Sequence, residues 1–189
     1  PVRRRPRGFA PLAALAVFLA TFTTYSLSTV TPQADSIWSL YVAESFARTS
    51  NFDLDEYASL GWPDDYRVVQ VNGHRQSYYP IGAPMLAAPI VGLLEGFPVA
   101  DGMPLSKYLA SHRPDAVVFE IEKNIASFLA ALNCVVIFAL ARQTVGDLKS
   151  LLITGIFAFA TSAWSVGSRG LWQHGPSMLC LSLALFFLG

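Results

Sequence analysis

Four long apolar runs divide the chain, and each of them is predicted to form a helix. The runs cover residues 8–27, 124–141, 150–168 and 176–189. A helix needs about 20 apolar residues to cross a bilayer, and the first three runs approach that length. The pattern therefore predicts an all-α polytopic membrane protein. Residues 1–189 would form a single transmembrane domain, and the last helix would be incomplete at residue 189.

A fifth uncharged stretch, residues 76–94, is interrupted by prolines, each of which removes a backbone hydrogen-bond donor. If residues 80–97 lie against the membrane without crossing it, Arg142 and Lys149 fall on the cytoplasmic side. If residues 80–97 cross, both basic residues fall outside. Because Lys and Arg concentrate on the cytoplasmic side of membranes, the first arrangement is favoured and the second stays the alternative.

The charges place residues 28–120 outside the cytoplasm. Four arginines precede the first apolar run and orient the N-terminus inwards: Arg3, Arg4, Arg5 and Arg7. Residues 28–79 carry seven acidic side chains and only three arginines, a net charge of −4. We therefore expect residues 28–120 to form an extracytoplasmic loop of a protein in a membrane, most simply the bacterial inner (plasma) membrane.

The first part of this loop is predicted to be an amphipathic helix on the membrane surface. Apolar side chains recur at helical spacing after Asp35: Ile37, Trp38, Leu40, Tyr41, Val42 and Phe46. Asp is a favoured residue at the start of a helix, so Asp35 is expected at or near the N-cap. Capping alone explains an aspartate at this position, and it is compatible with a catalytic role.

A small hairpin is predicted further along the loop. Residues 67–71 and 74–79 flank Asn72-Gly73, and this dipeptide is the strongest short signal for a two-residue hairpin turn. The second strand would return three side chains towards the membrane surface: Arg75, Tyr78 and Tyr79.

Composition agrees with a membrane protein and argues against nucleic-acid binding. The chain is 53% hydrophobic and 14% charged, with a mean hydropathy of +0.42. Thirteen basic residues balance thirteen acidic ones, which gives no positive surface for nucleic acid. Cys134 and Cys180 lie in apolar runs and are expected to pack rather than to bind metal or form a disulfide.

Asp35 is the leading candidate for chemistry. It is the first charge after 27 uncharged residues, so it emerges where the first helix leaves the membrane. A carboxylate at that surface can act on a substrate carried by a lipid. The alternative is an ordinary interfacial aspartate.

A second polar cluster, Arg169, Trp172 and His174, lies between two apolar runs. In the favoured topology it is on the same side as Asp35, and Pro176 suits the first turn of the next helix. Arg169 and His174 are expected to bind a phosphate or carboxylate there. The alternative is a set of interface anchors, which membrane loops commonly contain.

The Asp53-Leu-Asp55 motif raises the question of a divalent metal. Asp-x-Asp binds divalent cations in many sugar-nucleotide transferases, but the motif is short and no His or Cys accompanies it in sequence. Solvated loop charges are the expected explanation. The sequence therefore predicts no firm cofactor. A divalent metal is possible, but the sequence does not support one.

The order of these motifs resembles that of the GT-C glycosyltransferases. The shared order is a basic tail, one helix with Asp35 at its exit, a surface helix, an Asn-Gly turn, a Tyr-Tyr-Pro-Ile-Gly-Ala-Pro segment at 78–84, and Ala-Arg at 141–142 with a glycine four residues after the arginine. The similarity covers residues 8–189 and is to the branch containing protein mannosyltransferases and lipid A aminoarabinose transferases. Its implied fold is a transmembrane bundle with a structured first extracytoplasmic loop, an amphipathic helix plus a small hairpin.

The resemblance implies an enzyme that moves a sugar from a polyprenyl-phosphate donor to a lipid, glycan or protein acceptor. Asp35 matches the family's general base, and Arg75, Tyr79, Arg169 and His174 are the corresponding candidates for binding phosphate or acceptor. Two positions depart from the family pattern. Ser36 replaces the second acid of a frequent acidic pair, and Tyr79 stands where the aminoarabinose branch has a lysine, which leaves Arg75 as the nearest cation.

Two other functions stay open. The chain is alternatively a non-catalytic membrane scaffold or a lipid-binding subunit of a larger complex. A transporter is a third possibility, but no charge lies deep within an apolar run to mark a substrate path. If the chain is the N-terminal part of a larger transferase, we expect it to be inactive alone.

Overall fold

The computed structural model describes residues 9–30, 35–61 and 65–188, and most of them are helical. The four N-terminal arginines and Trp62-Pro63-Asp64 lie outside the described residues. The α-helices are α1 (Phe9–Ser26), α2 (Ser39–Thr49), α3 (Gly82–Leu94), α4 (Leu105–Ser111), α5 (Ala116–Thr144), α6 (Asp147–Ala160) and α7 (His174–Leu188). The strands are β1 (Val68–Val71), β2 (His74–Ser77), β3 (Pro98–Ala100) and β4 (Met103–Pro104). A 3-10 helix covers Asp55–Leu60 and a π-helical turn covers Ala163–Gly167.

Helix α5 is the central element, and α1, α6 and α7 pack against it. Its N-cap is Asp115, whose side chain accepts a hydrogen bond of 3.0 Å from the Val118 N–H and so satisfies one of the free donors of the first turn. Tyr25 connects α1 to α6, since its buried hydroxyl donates to the Ala158 carbonyl at 2.8 Å. The mainly apolar face of α5 thus organises the long helices of the fold.

The expected polytopic bundle is wrong. Among the described helices, only α5 is long and apolar enough to cross a membrane, a judgement by length and composition alone. The predicted run 150–168 is divided because the backbone leaves the helix at Thr161. This leaves α6 with 14 residues, which rise about 21 Å against a hydrocarbon core of about 30 Å. The chain also contains two small sheets, so it is not all-α.

The predicted hairpin is confirmed. Strands β1 and β2 pair antiparallel, with Val71 opposite His74 across the turn. Both turn residues have positive φ, 53° at Asn72 and 88° at Gly73, which is the geometry that Asn-Gly adopts most readily in a two-residue hairpin. The second hairpin, β3–β4, was not predicted from the sequence.

Helix α2 begins later than predicted and is more deeply buried. Its N-cap is Trp38, without a side-chain cap, and Asp35 lies in the turn before it. The expected capping role of Asp35 is therefore wrong. Seven consecutive residues, 39–45, are buried because α2 packs closely against α3 and the 3-10 helix carries Tyr57 onto it. One of the seven is Glu44, and Arg48 and the Tyr57 hydroxyl both donate to its carboxylate.

The π-helical turn and the start of α7 approach each other at two glycines. A Cβ added at Gly175 would lie 2.9 Å from the Gly167 carbonyl oxygen, too close for any side chain without movement of the backbone. This contact holds the two ends of the connecting segment, residues 168–173, near each other. That segment forms one wall of the candidate site.

Candidate functional site

Asp35 lies in a small polar cleft formed by three segments of the chain. The turn before α2 contributes Asp35, Ser36 and Ser39; the exit of the β1–β2 hairpin contributes Tyr79 and Pro80; the connection to α7 contributes Leu171, Trp172 and Gln173. The cleft has a volume of about 10 Å³, enough for about one water molecule. A larger group therefore reaches Asp35 only if a side chain of the wall moves.

Two tyrosine hydroxyls hold the Asp35 carboxylate. The Tyr66 hydroxyl donates to Oδ1 at 3.0 Å, and this bond raises the pKa of Tyr66. The Tyr79 hydroxyl interacts with the same carboxylate, which raises the pKa of Tyr79 to about 12. No Lys, Arg or His among the described residues forms an ion pair with Asp35. The carboxylate is thus oriented by two neutral hydroxyl donors.

Glu122 lies directly beneath this cleft, and sequence reasoning missed it. Its side chain is fully buried, and Oε1 accepts a hydrogen bond of 2.8 Å from the Leu171 N–H. Oε2 and the Ser36 hydroxyl are both buried, and neither has a hydrogen-bond partner among the described residues. Glu122 is therefore tied to the wall of the cleft that carries Leu171. An acid just before the apolar run at 124–141 was the available signal.

The predicted Arg169–Trp172–His174 cluster is divided in the structure. The Arg169 side chain lies against the π-helical turn. Its Nε donates to the Trp164 carbonyl at 3.2 Å, and its guanidinium lies 5.6 Å from the centroid of the Trp164 ring. His174 begins α7 and lines a separate, mainly apolar pocket of about 460 Å³ together with Val166, Met178 and Leu181. Trp172 lines both this apolar pocket and the Asp35 cleft, so it connects them.

Arg75 is not among the residues that line the Asp35 cleft. It lies in β2, and its backbone groups hold the hairpin to the preceding segment. The Arg75 N–H donates to Asp55 Oδ1 at 2.9 Å, and its carbonyl accepts from the Leu54 N–H at 2.8 Å. Of the sequence-predicted residues, the structure thus brings only Tyr79 into contact with Asp35.

The hairpin also brings His74 to the Asp-x-Asp motif. Ligand atoms of Asp53, Asp55 and His74 all lie within 4.8 Å of one another, a combination that divalent cations accept. The motif has no histidine near it in sequence, and folding of the hairpin supplies one in space. The cluster is largely exposed, and His74 Nδ1 lies 2.7 Å from Asp55 Oδ2, so these contacts also clamp the hairpin. The cluster is a possible metal site, but it does not establish that the protein has a cofactor.

The His74–Asp55 contact is expected to strengthen the hairpin most between about pH 4 and pH 6.5. The hydrogen bond to Asp55 raises the pKa of His74 above 6.5, so its contribution is complete below that value and is lost as the pH rises through the folded pKa. Bonds from the Arg75 N–H and His74 lower the pKa of Asp55 below 3.8, so its contribution is lost only as the pH falls through that lowered value. An NMR titration should give His74 a pKa above 6.5, and this pKa should fall in the Asp55→Asn variant. An unchanged pKa of His74 in the variant would contradict the contact.

Comparisons with known proteins give no relative for the chain. No protein-family model, curated protein or solved structure matches it. The geometry above and the order of the motifs are therefore the grounds for assigning a function.

Proposed function

We propose that this chain is part of a GT-C-type glycosyltransferase that transfers a sugar from a polyprenyl-phosphate donor to an acceptor hydroxyl. Asp35 is the general base. The observation that carries this assignment is the Asp35 carboxylate itself: it is held by Tyr66 and Tyr79, lies where three segments meet, and has no ion-pair partner among the described residues. A structural aspartate is more commonly neutralised by a cation or used as a cap.

The proposed step needs one proton acceptor beside the attacking oxygen. The acceptor oxygen forms the new bond to the sugar's anomeric carbon while the bond from that carbon to the carrier phosphate breaks. The acceptor proton moves to Asp35, and the polyprenyl phosphate leaves with the bonding electrons. General-base catalysis of this kind contributes about 10²–10⁴-fold in rate. Because the cleft is nearly closed, the Tyr79 or Trp172 side chain has to move when the acceptor enters.

The apolar pocket beside Trp172 supports a lipid-linked donor. Its volume of about 460 Å³ and its lining by Val166, Met178 and Leu181 suit an isoprenoid chain. His174 lies at the same pocket, at the N-terminal end of α7, where the helix dipole favours an anion. The carrier phosphate would thus lie near His174, with Trp172 between it and Asp35.

We propose that the chain is associated with a membrane, with the Asp35 cleft on the extracytoplasmic side. Among the described helices only α5 is long and apolar enough to cross that membrane. Large apolar side chains on α1, α6 and α7 are nevertheless exposed to a degree unusual for a soluble surface. They are Leu12, Leu15 and Leu19 on α1; Leu148, Leu152, Ile156 and Phe159 on α6; and Leu181, Leu185, Phe187 and Leu188 on α7. The arginines of the N-terminal tail fit a cytoplasmic start.

The same apolar faces also fit the rival function, a non-catalytic scaffold that packs against partner helices. A transfer assay separates the two. Membranes with and without the full-length protein are incubated with a polyprenyl-phosphate donor that carries a radiolabelled sugar. A transferase moves label into lipid, glycan or protein only when the protein is present. No transfer, with the protein folded and expressed, would favour the scaffold.

A further inference from the structure

A second pocket lies beside the Asp35 cleft and is lined by two arginines. We call it the arginine pocket; its polar lining is Asp65, Arg67 and Arg113, and its apolar walls include Ile37, Trp38 and Phe119. None of these residues lines the Asp35 cleft. The two are neighbours nevertheless, because Trp38 ends the turn that carries Asp35, and Tyr66, between Asp65 and Arg67, donates to Asp35.

Arg113 carries a positive charge that no carboxylate among the described residues neutralises. Its Nε donates to the Leu60 carbonyl at 2.8 Å, and Nη2 donates to the Gly61 carbonyl at 2.6 Å. Neutral carbonyl acceptors fix the plane of a guanidinium and leave its charge in place. Among the described residues, the hydrogen bonds of Arg113 use Nε and Nη2 only, so Nη1 keeps its donors for a ligand.

Arg67 and Asp65 form an ion pair in the lining of the same pocket. Arg67 Nε and Nη2 donate to the two Asp65 oxygens at 2.7 and 2.9 Å, and the Trp38 indole N–H donates to Oδ2 at 2.8 Å. An incoming anion therefore meets one carboxylate, but its charge is already matched by Arg67. Among the described residues that line the pocket, there are two guanidinium groups and one carboxylate.

Size and lining indicate which anion fits. The volume is about 290 Å³, close to the lower end of small-ligand pockets and sufficient for a single sugar ring. Trp38, Phe119 and Ile37 offer apolar surface to the ring faces, and a guanidinium is the side chain best suited to a carboxylate or phosphate.

We propose that the arginine pocket binds a sugar unit that carries an anionic group, either a carboxylate or a phosphate ester, with Arg113 as the partner of that group. The assignment of this unit to the acceptor rests on the proposed function. In that function the donor chain lies beyond Trp172, on another wall of the Asp35 cleft, which leaves the side facing Asp65–Arg67 for the acceptor.

Binding is measured by titration calorimetry on the purified chain in detergent, without turnover. The probes are glucuronate and glucose 6-phosphate. Glucose, which lacks the anionic group, and inorganic phosphate, which lacks the sugar, are the comparison ligands. Both charged sugars are expected to bind with one-to-one stoichiometry at least tenfold more tightly than glucose. Arg113→Gln keeps an amide that can donate to the Leu60 carbonyl. The substitution should lower the affinity for both charged sugars by about tenfold to a hundredfold, the contribution of a charged hydrogen bond. Arg113→Lys should retain part of the affinity.

Lys107→Gln is the matched control, because it removes one positive charge from an exposed position on α4 that does not line the pocket. If Lys107→Gln and Arg113→Gln lose the same affinity for the charged sugars, the proposal is overturned. Equal affinity of the parent for glucose and for the charged sugars would overturn it as well. Inorganic phosphate binding as tightly as glucose 6-phosphate would overturn the sugar assignment. Thermal unfolding of each variant shows that it is folded. Since no sugar is transferred in this assay, its failure leaves the transfer experiment unaffected.

Discussion

Replacing Glu122 by alanine is expected to lower the free energy of unfolding by about 2–4 kcal/mol, the largest stability effect in the chain that we can argue from a single contact. Glu122 is completely buried and accepts the Leu171 N–H at 2.8 Å. Alanine leaves that N–H without an acceptor at a residue that is itself 1% exposed. It also leaves a cavity between α5 and the 168–173 segment. Thermal or denaturant unfolding followed by circular dichroism measures the change.

Glu122→Gln is the control for this prediction. Glutamine retains a carbonyl oxygen for the Leu171 N–H and removes only the ionisable group, so its stability should stay within about 1 kcal/mol of the parent. If Glu122→Ala does not fold, the comparison still holds, provided that Glu122→Gln does. Equal, small effects of both substitutions would show that the hydrogen bond does not hold the segment. Large, equal effects would show that the charge matters instead.

The parts of the fold that follow local rules were predictable from the sequence. Asn72-Gly73 predicted its hairpin because few other dipeptides accept positive φ at both positions. Helix lengths were less predictable, since an apolar run does not show where the backbone turns. The run 150–168 contains no proline or charge, yet it breaks at Thr161. That break removes one of the predicted spans, and nothing in the pattern of apolar residues marked it.

The candidate site was predictable only in part. Asp35 was recognised by its place after the first helix, and Tyr79 by its place before the proline-rich segment. Their contact, and the role of Tyr66, depend on how the hairpin folds back onto the turn before α2. His74 joins Asp55 for the same reason. Pairings between residues so far apart in sequence are set by tertiary packing, which periodicity and turn signals do not record.

Asp35→Asn is expected to reduce the rate of sugar transfer by about 10²–10⁴-fold while leaving donor binding unchanged. Asparagine has the size of aspartate, and its carbonyl oxygen still accepts the Tyr66 hydroxyl, so the cleft should keep its shape. The amide cannot take a proton from the acceptor, which removes the proposed step alone. Because the donor pocket beyond Trp172 is unaltered, binding of the polyprenyl-phosphate sugar should persist.

Asp53→Asn provides the matched control, because it makes the same chemical change at a carboxylate that does not line the Asp35 cleft. Its side-chain oxygen still accepts the Asp55 N–H, so the variant should fold. We expect its transfer rate to stay within about twofold of the parent, since the proposed general base acts at Asp35. A loss in Asp53→Asn equal to that in Asp35→Asn would point to an effect of charge, of stability or of a metal at the Asp53–Asp55–His74 cluster rather than of a base.

The most direct test of Asp35 as the base is the initial rate of sugar transfer from a labelled polyprenyl-phosphate donor. The rate is compared in membranes that carry equal amounts of the full-length parent, Asp35→Asn or Asp53→Asn protein. Donor binding is measured in parallel on the same membranes. We expect transfer by the parent and by Asp53→Asn, and a loss of at least about a hundredfold in Asp35→Asn with donor still bound. Transfer by Asp35→Asn at the parental rate would contradict it.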